Sequence, residues 1–142
     1  MPTPTEAANL ATARRYIALV EGFAQPEAFA DVVHPQIQHQ EFPNALMKHG
    51  SQRDYATLVA GPQQGRKILR DNHYAITNSF AAGAWVTLEI VWTGTLAVAL
   101  GTLAPGDELR AYIATILQFH DGKIIAQRQY DCYEPFPATP GS

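Results

Sequence analysis

Cysteine and charge are both scarce in this sequence. The single cysteine, Cys132, excludes an intrachain disulfide and fits a reducing compartment. Charged residues make up only 16 % of the chain and the formal net charge is −3, with no Lys/Arg cluster to offset it locally. Nucleic acid is therefore not an expected partner, because such binding rests on a basic patch that neutralises phosphates. No apolar run approaches the ~20 residues that a membrane helix needs. The opening MPTPTEAANL also lacks the basic segment and apolar stretch of a signal peptide. A soluble, cytoplasmic protein is the expectation. There is no glycine-rich phosphate loop and no nucleophile elbow. His34, His49, His73 and His120 do not form a metal set, so neither metal nor cofactor is expected.

Apolar residues are abundant, at 46 % of the 142 residues, which suits one domain over 1–142 with a single substantial core. Thr3-Pro4-Thr5-Glu6 predicts a helix start, with Thr3 as cap, Pro4 in the first turn and Glu6 reaching back. Leu10, Ala13, Ile17, Val20 and Ala24 then recur at helical spacing. Gln25-Pro26 breaks this helix and opens a short second one, which His34-Pro35 ends. A first strand is predicted over 36–42 and a third helix from Gly50-Ser51 to Gly61-Pro62, with Tyr55, Leu58 and Val59 inward. Four more strands follow at about 66–79, 84–96, 108–120 and 123–133, with SFAAG and HDGK as tight turns. The proline-rich tail over 135–142 is expected to leave the sheet. Helices first and strands afterwards predict a segregated α+β fold, a curved mixed or antiparallel sheet wrapped around three N-terminal helices. Such a sheet encloses a pocket on its concave side. Leu88, Ile90 and Trp92 fall on one face of the middle strand, opposite Glu89 and Val91, and an apolar outer face there predicts a homodimer.

The stretch HQEFPN at 39–44 is unusual for a strand facing a core. Alternation puts Gln36, Gln38, Gln40 and Phe42 on one face and Ile37, His39 and Glu41 on the other. The glutamine row reads as the solvated face, which turns a histidine and a carboxylate inward. A carboxylate on a partly desolvated concave face is suited to general acid–base work, with His39 to orient it or share its proton. The plainer reading has Glu41 accepting hydrogen bonds from backbone or a basic side chain near the pocket mouth.

Element order, together with HQEFPN, WTGTLAV (92–98) and FHDGKIIAQRQYDCYEPF (119–136), resembles the nuclear transport factor 2-like superfamily and its SnoaL-like polyketide cyclase branch. The resemblance covers nearly the whole chain and implies a cone-shaped α+β domain holding a small, mostly apolar ligand. It implies cofactor-free acid–base chemistry of isomerase, cyclase or hydratase type; a non-catalytic ligand-binding or protein-interaction module is the alternative. The chain is also similar, more distantly, to limonene-1,2-epoxide hydrolase. There the water-holding pair falls on His39 and Glu41, and of the aspartate–arginine–aspartate triad the arginine falls on Glu89 and the aspartates on Val91 and Gln129. All three triad members differ, so that mechanism is not expected. The comparison implies that Glu89, Val91, Gln127, Gln129 and Asp131 face the same cavity as His39 and Glu41. Two carboxylates in one cavity divide into acid and base, a role open to Glu41 with Glu89. Asp131 is a candidate base at the rim or a cap for the tail. Gln127 and Gln129 are neutral donors and acceptors for a substrate carbonyl or for water. Ketosteroid isomerases, to which the chain is likewise similar, use a tyrosine in their oxyanion hole; Tyr16 is either that donor or core packing.

Overall fold

The computed structural model describes residues 1–136. Helix α1 runs over Pro4–Glu21, followed by a 3-10 turn at Pro26–Asp31, β1 Val33–Glu41, β2 Ser51–Arg53 and α2 Tyr55–Ile68. Strands β3 Leu69–Ala82, β4 Trp85–Leu96, β5 Glu108–His120 and β6 Lys123–Tyr133 complete the order. The α+β reading holds: helices pack on one face of a curved, unclosed six-stranded mixed sheet of order β2-β1-β6-β5-β4-β3. Only β1 and β6 pair in parallel; every other neighbouring pair is antiparallel.

Local chemistry explains the boundaries. Thr3 and Glu6 form the reciprocal capping box that starts α1, at 3.1 and 2.8 Å. Asp121 and Gly122 both take positive φ, 52° and 76°, the two-residue turn whose twist matches that of the strands it joins. The third predicted helix differs at both ends. Ser51 belongs to a short strand that pairs with β1, and Asp54 is the true N-cap, accepting from the Thr57 amide at 3.0 Å. Pro62 does not stop α2 but lies inside it. It lacks the N–H that would bond the Leu58 carbonyl, yet the next turn is anchored elsewhere: Gln63 Nε2 donates to the Phe23 carbonyl at 2.6 Å. The longer helix pushes the start of β3 to Leu69, and β3 in turn runs through most of SFAAG, turning only at Gly83. His34-Pro35 lies inside β1, where the β1–β6 register shifts between Val33 and Gln38. Of the tail, Pro135 and Phe136 lie beyond β6, with Phe136 packed against the core; 137–142 lies outside the described residues.

Strand parity overturns one expectation. Leu88, Ile90 and Trp92 pair with Thr115, Ile113 and Ala111 on β5, and all six are buried under the helices. Directly paired residues share a face, so these apolar residues point inward. Glu89 and Val91 therefore point outward, Glu89 exposed and bonded to Asn78 Nδ2 at 3.0 Å. A strand offset of one residue exchanges every side chain between faces. The dimer face predicted from Leu88, Ile90 and Trp92 is in fact the core. The outer face instead shows Phe80, Trp85, Tyr112 and Tyr130.

Candidate active site

A cavity of about 410 Å³ lies between α1, α2 and the inner face of the sheet. Ile17 and Val20 of α1, Phe23 of the turn after it and Leu58 of α2 make one apolar wall, and Trp92 and Tyr74 stand opposite on β4 and β3. Its polar side comes from β1, β2 and β6. His39 and Glu41 pair in register with Gln127 and Gln129, which turns all four side chains to the same face. The inward reading of HQEFPN is correct: His39 and Glu41 are buried, at 5 % and 8 % exposure.

Burial of Glu41 is compensated. Arg53 Nη1 contacts its Oε1 at 3.1 Å, and Asn44 Nδ2 donates to its Oε2 at 2.9 Å. Asn44 also accepts from the Leu46 and Met47 amides at 3.0 and 2.8 Å, so one side chain folds the loop after β1 and clamps the carboxylate. Gly50 closes the loop at φ +67°, where a Cβ would lie 2.5 Å from the Glu41 carbonyl. The plainer reading of Glu41, an acceptor for a basic side chain, describes these contacts. His39 Nδ1 lies 3.5 Å from Arg53 Nη1. Burial, and then the Arg53 charge, hold the imidazole down to about 4, so His39 is neutral at neutral pH.

Asp131 follows Gln127 and Gln129 on the inner face, half-buried, one step past the residues that line the cavity. Among the described residues it forms no ion pair, and both of its oxygens accept from Gln129 Nε2, at 3.0 and 3.3 Å. Burial, reinforced by the Glu41 charge, pushes its carboxyl up to about 6. The second carboxylate expected beside Glu41 is thus Asp131 rather than Glu89. Tyr16 is buried, and its hydroxyl donates to Gln127 Oε1 at 2.7 Å.

The sequence did not single out Arg53, Asn44, Tyr74 or Trp92 as site residues. Arg53 looks like part of a helix start until β2 is seen, and Trp92 carries the wrong parity. Tyr74 pairs with Trp92 across β3 and β4 and lines the cavity; its amide is pinned to the Glu21 carboxylate at 2.6 Å. Trp92 is set by two contacts. Its Nε1 donates to Asn72 Oδ1 at 3.1 Å, and its ring lies over Gly94, where a Cβ would come within 2.6 Å of Cζ2. Gly94→Ala is therefore expected to displace the rigid indole from the cavity wall at a cost of ~1–3 kcal/mol. A lower melting temperature and altered tryptophan emission would report it, and an unchanged spectrum would show that the indole is not displaced.

A model of the SnoaL-like polyketide cyclase family matches residues 11–133. The chain belongs to that family. No curated protein matches it in sequence. Among solved structures, AclR from Streptomyces galilaeus, a proposed hydroxylase, is similar at 19 % identity and TM-score 0.72, covering 89 % of this chain and 76 % of its own. IdmH from Streptomyces antibioticus, a proposed polyketide cyclase, gives 16 % and 0.73 over 87 % and 91 % of the two chains. An LEH-like epoxide hydrolase of M. tuberculosis gives 12 % and 0.67 over 90 % and 85 %. At these identities the likeness is one of fold, the nuclear transport factor 2-like α+β cone. In this SnoaL-like chain, the positions resembling the hydrolase triad are split between faces, Glu89 and Val91 outside and Gln129 inside.

Proposed function

We propose that this SnoaL-like chain is a single-domain, cofactor-independent acid–base catalyst for a small, mostly apolar carbonyl compound, with Asp131 as its base. The reaction is of isomerase, cyclase or hydratase type, begun by removing an acidic C–H proton. One observation carries the choice of base. Asp131 is a half-buried carboxylate beside the cavity whose side-chain partner is a neutral amide, and its proton affinity is raised to about 6. A group titrating there is mostly ionised at neutral pH and still a competent base. Glu41, held between Arg53 and Asn44, serves instead to keep the polar wall in place and to raise Asp131 by its charge. The neutral His39 supports Arg53 rather than moving a proton. Tyr74 is a donor for a substrate oxygen, since its hydroxyl makes no hydrogen bond among the described residues.

The test is solvent-deuterium exchange at the acidic carbon of β-dicarbonyl and aryl-ketone probes, followed by NMR. Exchange above background, rising through a midpoint near 6, supports the assignment. Bound probes that exchange no faster than free ones, at any pH, would make the chain a binding module instead.

The chain is further read as a cytoplasmic homodimer, its contact on the outer sheet face where Trp85, Tyr112 and Tyr130 are exposed. A stable dimer there buries on the order of 2,000 Å². Tyr112→Glu is expected to yield monomers in sedimentation, while a variant that stays dimeric would put the contact elsewhere.

A further inference from the structure

Four side chains form a continuous hydrogen-bonded series along the inner face. Tyr16 Oη donates to Gln127 Oε1 at 2.7 Å; Gln127 Nε2 donates to Thr115 Oγ1 at 2.9 Å and to Gln129 Oε1 at 3.1 Å; Gln129 Nε2 donates to Asp131 Oδ1 at 3.0 Å. Its direction follows from Asp131. An ionised carboxylate only accepts, so Gln129 must present its amino group. The Gln129 oxygen then faces Gln127, which must present its own amino group in turn. The Gln127 oxygen is left facing Tyr16, whose hydroxyl has to donate. One charge at the end of the series fixes both amides and the phenol.

A protonated Asp131 permits the opposite order. Its O–H donates to Gln129 Oε1, Gln129 Nε2 to Gln127 Oε1, and Gln127 Nε2 to the Tyr16 oxygen. Thr115 exchanges its acceptor role for a donor role at Gln127 Oε1. Both amides turn half a revolution about their terminal torsions, which leaves their shape and volume the same. Each of the four side chains keeps at least one partner within the series in either order. In the second order the Tyr16 hydroxyl no longer donates to Gln127, and its proton is available to the cavity that Tyr16 lines.

We propose that Tyr16, Gln127, Gln129 and Asp131 form a reversible relay that couples protonation of Asp131 to the direction of the Tyr16 hydroxyl. On the acid–base reading above, on which this use of the relay rests, Asp131 removes a C–H proton and the electron pair moves by conjugation to a substrate oxygen. The newly protonated Asp131 reverses both amides, and Tyr16 turns its O–H toward that oxygen. No proton travels along the relay and no oxidant or reductant takes part. Gln127 and Asp131 are four residues apart on one strand, ~13 Å at the usual rise. The oxygen met by Tyr16 is therefore not the carbonyl next to the deprotonated carbon but one conjugated with it from a distance. Gln127 and Gln129 are positioning residues, and Tyr16 is a donor only in the second state.

The other groups around the relay do not supply this coupling. Facing Asp131 are Glu41 from β1, Arg53 from β2, Tyr74 from β3 and Tyr133 from its own strand. The β5 residues paired beside it on the inner face, Ala111, Ile113 and Thr115, do not titrate. His39, held to about 4, changes charge well below the Asp131 midpoint.

The relay is tested without any substrate, in the full chain carrying ¹³Cζ-tyrosine and ¹³Cγ-aspartate, with Tyr16→Phe and Asp131→Asn identifying the two signals. The Tyr16 signal is expected to shift with the same midpoint as Asp131, near 6, as its hydroxyl changes from donor to acceptor at Gln127. In Gln129→Leu, or in Gln129→Met should the first variant fold poorly, Asp131 still titrates and the Tyr16 step disappears. A Tyr16 signal that stays flat while wild-type Asp131 titrates overturns the relay. A step that survives both Gln129 variants overturns it too, since the charge is then felt through space. Coupled titration in a protein that exchanges no probe would keep the relay and discard the catalytic reading.

Discussion

Asp131→Asn is expected to lower probe exchange by ~10²–10⁴, the contribution of a positioned acid–base group, while leaving probe affinity within a few-fold. The substitution keeps the shape and one acceptor oxygen and removes the base. It also makes an opposite prediction for stability. The carboxyl titrates at about 6 in the fold against 3.8 unfolded, so the native state binds the proton more tightly. That stabilisation is fully present below the unfolded value and is lost as pH rises through the folded one. At pH 7 the ionised group costs on the order of 2–3 kcal/mol, which an amide does not. The variant should therefore melt higher than wild type at pH 7, with the gain fading toward pH 4. A protein that lost activity and stability together at pH 7 would show that Asp131 holds the fold, as a cap for the tail would. One that kept its exchange rate would move the base elsewhere.

Glu41→Gln should behave in the reverse manner. The carboxylate accepts from Arg53 and Asn44 on separate oxygens, and an amide can serve only one of them as acceptor. Arg53 is left with its charge unmatched in a mostly buried place, and ~1–3 kcal/mol of stability is expected to go. Because the Glu41 charge helps hold Asp131 up, the Asp131 midpoint should fall in this variant. The pH–rate profile should then move to lower pH while exchange at neutral pH persists, and thermal melts with ¹³C titration read both effects. A Glu41→Gln protein of unchanged stability whose exchange has vanished would restore Glu41 as the base and remove Asp131 from that role.

These variants divide roles that the sequence left mixed. Inward placement of His39 and Glu41 was legible because the glutamines of β1 mark its other face. The last two strands were legible to the residue because Asp121-Gly122 admits little besides a tight hairpin. β4 was not legible in the same way. It carries apolar residues on both faces, Leu88, Ile90 and Trp92 against Trp85 and Val91, so alternation alone does not say which row is the core. The decision lies in its register with β5, whose inward row is Leu109, Ala111, Ile113 and Thr115. Arg53 escaped notice for a different reason. Three residues are too short for a periodic signal, and only pairing of β2 with β1 brings the guanidinium to Glu41.

The parallel pairing of β1 with β6 has a consequence for how the site comes into being. Residues 38–41 find their partners at 126–129, about two thirds of the described chain away. During synthesis the β1–β2 hairpin emerges early, with Glu41 and Arg53 already able to meet, yet one edge of β1 stays open until β6 leaves the ribosome. Such distant contacts are slow to form, because loop closure must come before any contact rewards it. Tyr16, made first, meets Gln127 only at that final step. Helices and central hairpins can collapse beforehand, but the nascent protein has no polar wall, no amide series and no Asp131 until β6 docks. The candidate site is therefore complete only once β6 has docked on β1.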